Sequence, residues 1–257
     1  MDQAERKSAL RKAFTEARGY WSEAWDLILD LDADFFEAYL DLSAAPWRHG
    51  TLEPKIKELI YIAIDSSTTH LHGPGLRVHV RNALRHGATR DEIMEVFELT
   101  SVLGIHACSM GIPALIDEVR QTGRGHLLPS GPLSPAQEAL KRDFQAKRGY
   151  WTDLWEGLIR LDPQFFAAYT RFSALPWTKG PLPPKVKELI YIAIDSATTH
   201  LYEPGTRIHM RNALAHGATL QEIVEVLELV SVLGIHTVTL GAQILAEELA
   251  KLPAAAE

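Results

Sequence analysis

The chain has 257 residues, 46% of them hydrophobic and 23% charged, an ordinary globular balance with length enough for two domains of about 125 residues. A formal net charge of −7 removes the basic face that a nucleic-acid partner requires, and no run of 18 apolar residues offers a membrane span. The charged N-terminus, MDQAERKSALRKAF, lacks the apolar stretch of a secretory signal, and the single Cys108 cannot form an internal disulfide, so a cytoplasmic protein is expected.

Nearly every segment reads as helix. Trp25, Ile28 and Leu29, then Phe35, Phe36, Tyr39 and Leu40, stand at helical spacing and predict two helices broken around residues 30–34. A turn over Ala45-Pro46-Trp47 to Gly50 is expected to end this pair, and Pro54 suits the first turn of the next helix. That helix holds Glu58-Leu-Ile-Tyr-Ile-Ala-Ile64, apolar nearly all round and so buried on most sides. Gly73-Pro74-Gly75 reads as a loop, followed by a helix from Leu76 to the stop at Gly87. Thr89-Arg-Asp-Glu92 is a capping box that opens a helix continuing past Gly104 toward Val119.

The chain then repeats itself. Residues 57–106 align without a gap on residues 187–236, with 38 of 50 positions identical, and Gly19-Tyr20-Trp21 recurs as Gly149-Tyr150-Trp151. An offset of 130 residues is a duplicated domain rather than a solenoid unit. The glycine- and proline-rich stretch 121–135 is the linker between repeats at 1–120 and 136–257. No alternating strand pattern appears, so the expected architecture is all-α, with five or six helices in each half.

The duplication ranks the polar residues. Kept in both halves are Glu58/Glu188, Asp65/Asp195, His70/His200, Arg77/Arg207, His79/His209, Arg81/Arg211, His86/His216 and His106/His236. A carboxylate at 58 on an apolar helix costs several kcal/mol of desolvation unless it is paired or protonated, so it is either a structural ion pair or a proton-exchanging group. Asp65 reads as structural. Both carboxylates require a partner, expected within the same half. The following helix carries Arg77 and Arg81 on one edge, suited to a solvated face or to a substrate carboxylate. His79 and His86 border its apolar stripe. His70, His79 and His106 with Glu58 raise a His/carboxylate metal site. Yet the tight pair His70-Leu-His72 is not repeated, its second member being Tyr202, and no metal is assigned. His106 is expected to line a pocket or a helix interface.

The pattern K-x-K-E-L-I-x-x-A, followed by R-x-H-x-R-N-A-L-x-x-G-A-T-x-x-E-I-x-E-V, resembles the carboxymuconolactone decarboxylase family, in two copies over roughly 14–115 and 144–245. The segment Leu161-Asp-Pro-Gln-Phe-Phe-Ala-Ala-Tyr169 is similar to the family's first helical hairpin. The resemblance implies the alkylhydroperoxidase-D-like helical fold, with a site between helices and Glu58/His79 and Glu188/His209 at the family's glutamate and histidine positions. It also implies a homo-oligomer, here a trimer of pseudo-dimers. The peroxidase branch carries a redox CxxC before the histidine. His72 and Gly75, or Tyr202 and Gly205, occupy those places here, so thiol peroxidase chemistry is excluded. The stretch between glutamate and histidine is about two residues longer than in the decarboxylase proper and is expected to reshape the pocket mouth.

What the resemblance implies is cofactor-independent decarboxylation of a carboxylated unsaturated lactone in aromatic catabolism. His79 and His209 would serve as donor or acid/base, with Glu58 and Glu188 setting their tautomer. Arg77 or Arg81, with Arg207 or Arg211, would hold the carboxylate, and His70, His200, His106 and His236 would line the substrate site. A related lactone or proton-transfer reaction is one alternative, and a non-catalytic oligomer binding a small acid is another.

Overall fold

The computed structural model describes residues 2–251, and the expected domain ends at 1 and 257 lie outside them. Among the described residues all regular structure is helical. The first half holds α1 (Gln3–Arg18), α2 (Ala24–Leu31), α3 (Ala33–His49), α4 (Pro54–Ser66), α5 (Gly73–Arg85), α6 (Arg90–Ser101) and α7 (His106–Gln121). The second repeats them as α8 (Pro135–Arg148), α9 (Leu154–Leu161), α10 (Pro163–Lys179), α11 (Pro184–Ser196), α12 (Glu203–Ala215), α13 (Leu220–Ser231) and α14 (Ile235–Leu249). Seven α-helices per half exceed the expected five or six. One reason is that the long helix after Thr89 breaks into a 3-10 turn at Val102–Ile105, as its counterpart does at Val232–Gly234.

Local chemistry places most boundaries. Thr89 and Glu92 form the expected capping box, as do Thr219 and Glu222, and Asp32 and Asp162 cap α3 and α10. Two expectations are corrected. Helix α3 runs through Pro46 to His49, because the proline's missing N–H would have bonded the carbonyl of Leu42, an exposed residue whose carbonyl can turn to water. Helix α5 begins at Gly73 rather than Leu76. Pro74 sits in its first turn, and His72 Nδ1 accepts the Gly75 N–H at 3.2 Å.

The core forms where α4 and α11 meet back to back, flanked by α6 and α13 of the opposite halves. Residues 56–65 and 186–195 are buried without a break, as an all-round apolar helix requires. Two reciprocal buried ion pairs cross this junction. Lys57 Nζ lies 2.7 Å from Glu225 Oε1, and Lys187 Nζ lies 2.6 Å from Glu95 Oε1. Glu225 also accepts the N–H groups of Thr51 and Leu52, at 2.6 and 2.9 Å. Gly50 and Gly180 make room for these carboxylates: an added Cβ would stand 2.0 Å from Glu225 Oε1 or Glu95 Oε1.

The two halves also exchange their last helices. Helix α7 packs on α9 of the second half, and α14 packs on α2 of the first. The helical runs 90–121 and 220–249 are long and apolar enough to cross a bilayer by length and composition. Both bend at a 3-10 turn, both carry a buried glutamate paired across the junction, and both use their apolar faces in this exchange.

Candidate functional site

Each half has a cavity beside its repeated histidine, at 79 or 209, and each is finished by the other half. The first holds about 680 Å³, open mouth included, and is walled by Arg18, Tyr20, Tyr61, Asp65, His72 and His79, then closed by Ile235, His236 and Thr239 of α14. The second, smaller, is walled by Arg148, Tyr150, Tyr191, Asp195, Tyr202 and His209 and closed by Ile105 and His106.

The expected glutamate–histidine pair forms within each half. Glu58 is wholly buried, and its Oε2 lies 2.7 Å from His79 Nδ1 while its Oε1 accepts from Asn82 Nδ2 at 3.3 Å. In the second half Glu188 meets His209 Nδ1 at 2.6 Å and Asn212 Nδ2 at 3.2 Å. A carboxylate acceptor assigns the proton to Nδ1 and leaves Nε2 as the free edge of a ring that lines the cavity. Tyr61 and Tyr191 stack on these imidazoles with centroids at 4.5 Å, fixing their planes.

Behind the histidine lies a cation that sequence reasoning missed. Arg18 is 3% exposed, packed against the rings of Tyr61, Tyr20 and Trp47, and donates to the Ser43 carbonyl at 3.3 Å. Arg148 repeats the arrangement, donating to Ser173 at 2.7 Å. Neither forms an ion pair among the described residues, and the Nε of each is buried without a hydrogen-bond partner. The available signal was the repeated Arg-Gly-Tyr-Trp at 18–21 and 148–151. By contrast Arg77, Arg81, Arg207 and Arg211 are exposed and line neither cavity, and Arg207 pairs with Glu203 on its own helix. His86 and His216 are also exposed.

The remaining histidines meet across the halves. His70 Nε2 lies 2.8 Å from His236 Nδ1, and His200 Nε2 lies 2.6 Å from His106 Nδ1. His106 therefore belongs to the second cavity and His236 to the first, so a ligand set of His70, His79, His106 and Glu58 within one half does not assemble. Burial pushes His106 down to about 3 and His236 down to about 4, and lowers His70 and His200 as well. Asp65 and Asp195 line the cavities, each 1% exposed. Burial pushes Asp195 up to about 7 against the opposing pull of His209, whose Nε2 stands 3.9 Å from Oδ2. Gly75 and Gly205, at the places of the absent thiols, let α5 and α12 start against these carboxylates. A Cβ there would lie 2.2 and 2.0 Å from the aspartate oxygens. The halves differ at position 72: Tyr202 bonds Ser109 Oγ at 2.6 Å and stacks on His106 with centroids 3.8 Å apart.

Comparison with known proteins agrees with the tandem helical fold. The carboxymuconolactone decarboxylase family matches residues 33–105 and 163–243. A crystal structure from Burkholderia xenovorans, provisionally named a gamma-carboxymuconolactone decarboxylase subunit, is 43% identical with a TM-score of 0.92, over 95% of this chain and 98% of that one. No curated protein matches. The helical fold in two tandem copies, the buried glutamate–histidine pair in each and the match over both repeats place this chain in the carboxymuconolactone decarboxylase family.

Proposed function

We propose that the chain is a decarboxylase of a small carboxylated unsaturated lactone, of the 4-carboxymuconolactone type and active in aromatic catabolism. The observation that carries this reading is the buried guanidinium without an ion-pair partner. A cation held out of water with no carboxylate in ion-pair contact is costly, and here it lines a cavity. An anionic ligand supplies the missing charge. Arg18 and Arg148 thus take the carboxylate-holding role first expected of the helix α5 and α12 arginines.

Loss of carbon dioxide from such an acid moves an electron pair into the lactone carbonyl, and the carbon left behind must be reprotonated. The lactone is its own electron sink, so no organic cofactor is required. His79 and His209 present Nε2 to the cavity as the proton-carrying atom, while Glu58 and Glu188 hold Nδ1–H and so the tautomer. Tyr20 and Tyr61, whose phenols burial pushes up and keeps protonated, give the cavity neutral donors for the enolate oxygen. The exposed Met110 and Leu115 on α7, with Leu240, Ile244 and Leu245 on α14, support assembly into a homo-oligomer, proposed as a trimer of pseudo-dimers in the cytoplasm.

The test is a panel of carboxylated lactones scored for released carbon dioxide. His79→Ala and His209→Ala together are expected to abolish turnover, and Arg18→Met with Arg148→Met to raise KM steeply. A double histidine variant with undiminished activity refutes the assignment, and saturable binding without turnover replaces it with a binding protein.

A further inference from the structure

The mechanism leaves one acidic group of the first cavity unused. Asp65 is 1% exposed, and its Oδ2 has no hydrogen-bond partner. Three imidazoles surround the carboxylate without reaching it. His70 Nε2 and His236 Nδ1 stand 4.0 and 3.9 Å from Oδ1, and His72 Nδ1 stands 3.8 Å from Oδ2. All three separations exceed hydrogen-bond range. A buried carboxylate without donors needs a proton or a countercharge, and a cation held by the surrounding imidazole lone pairs supplies the second.

The spacing suits an ion. One donor atom from each of Asp65, His70, His72 and His236 lies within 4.8 Å of all the others. The circle through Asp65 Oδ1, His70 Nε2 and His236 Nδ1 has a radius of about 2.1 Å, set by sides of 4.0, 3.9 and 2.8 Å. Zinc bonds to histidine nitrogen and carboxylate oxygen are about 2.0–2.2 Å long. Gly75 admits Asp65 Oδ2 and His72 Nδ1 where a Cβ would come within 2.2 and 2.6 Å of them. That glycine and the left-handed turn at Leu71 recur as Gly205 and Leu201, so what sets the first cavity apart is His72 itself.

Without an ion, His70 and His236 meet edge to edge, nearly coplanar at 11° with centroids 5.0 Å apart, in an N–H···N hydrogen bond. An entering cation takes the lone pairs of both, moves that proton to the other ring nitrogen and turns the rings so that they converge. His72 exchanges the Gly75 N–H for the ion. His70 lies on the loop between α4 and α5 and is half-buried.

The second cavity holds only three of these groups: Asp195, His200 and His106. Tyr202 replaces the fourth, and its hydroxyl is committed to Ser109. We propose that Asp65, His70, His72 and His236 bind one first-row divalent cation of the Zn²⁺ class per chain, and that the second cavity retains none. Three imidazoles and one carboxylate are the donors such ions prefer. The site takes no ligand from the Glu58–His79 pair, so it stands independently of the decarboxylase reading.

The test is calorimetric titration of chelator-stripped, full-length protein with Zn²⁺ alone, followed by Co²⁺ to read the ligand field by visible absorption. The wild type is expected to bind one equivalent tightly. His72→Tyr copies the residue that the second half already accommodates, and it should weaken binding by about 100-fold or more, since outer-shell losses alone reach that scale. Tyr202→His should add a second equivalent. The proposal is overturned if the wild type binds no stoichiometric ion, or if one equivalent persists unchanged in both His72→Tyr and Asp65→Asn. It is equally overturned if Tyr202→His, folded by circular dichroism, gains nothing.

Discussion

Asp195→Asn separates the electrostatic part of the second cavity from its packing. Burial holds the Asp195 carboxyl at about 7 against an ordinary 3.8. Between those values the native state keeps a proton that the unfolded chain has released, so native stability falls as pH rises through the window and stays at its lower level above it. A shift of about three units at about 1.4 kcal/mol each sets an upper limit of about 4 kcal/mol. Asparagine has nearly the same shape and no charge to bury. Its amide adds a constant cost of about 1–3 kcal/mol for an unpaired buried donor, and that cost does not depend on pH. Burial holds His106 at about 3 against an ordinary 6.5, so its contribution runs the other way. It is fully present above the unfolded value and is lost as pH falls toward 3. Urea unfolding of wild type and Asp195→Asn from about pH 4 to about pH 8 should therefore give curves that diverge. The variant should gain up to about 4 kcal/mol relative to wild type across that range. Curves that stay parallel within about 0.5 kcal/mol would show that Asp195 is ionised at no cost, and the reasoning fails.

Two further outcomes follow from the exchanged architecture. Glu225→Ala strands the Lys57 ammonium and the Thr51 and Leu52 amides in the junction, and should cost about 3–5 kcal/mol in urea unfolding; Glu225→Gln keeps the two amide acceptors and should cost less. Because each half keeps its own glutamate–histidine pair, His79→Ala or His209→Ala alone should leave the other cavity's turnover in place, measured per chain on any lactone that the wild type decarboxylates.

What the sequence made legible was whatever one segment decides by itself. Glu58 could be tied to His79 because a carboxylate on an all-round apolar helix must find a partner, and the next helix offered one at a repeated position. The capping box at Thr89 and the burial of residues 59–64 follow from local pattern in the same way. Arg18 was hidden because it ends a helix crowded with lysines and arginines, where charge normally means solvent; only the tertiary packing of Tyr20, Trp47 and Tyr61 removes it from water. Arg77 and Arg81 misled for the converse reason. Their shared edge is real, but it faces outward. The partner of His106 could not be read locally, since it depends on the path that α7 takes after a four-residue 3-10 turn.

That path gives the duplication its meaning. In a symmetric pair of identical single repeats, any change in a cavity wall would appear in both sites at once. Here the first cavity combines His72 with Thr239 of the second half, and the second combines Tyr202 with Ser109 of the first. These two differences therefore lie in different repeats, and each is built across the junction. Tyr202 needs Ser109 to satisfy its buried hydroxyl and His106 to stack on, and both arrive on the exchanged α7. Leu154 stands where the first cavity has Ala24, so bulk is added to the second cavity from its own repeat as well. The glutamate–histidine pair and the buried arginine are the same on both sides, so the divergence lies around them, at the mouths. Fusion into one chain is what permits this, because it fixes which α7 and which α14 complete which cavity.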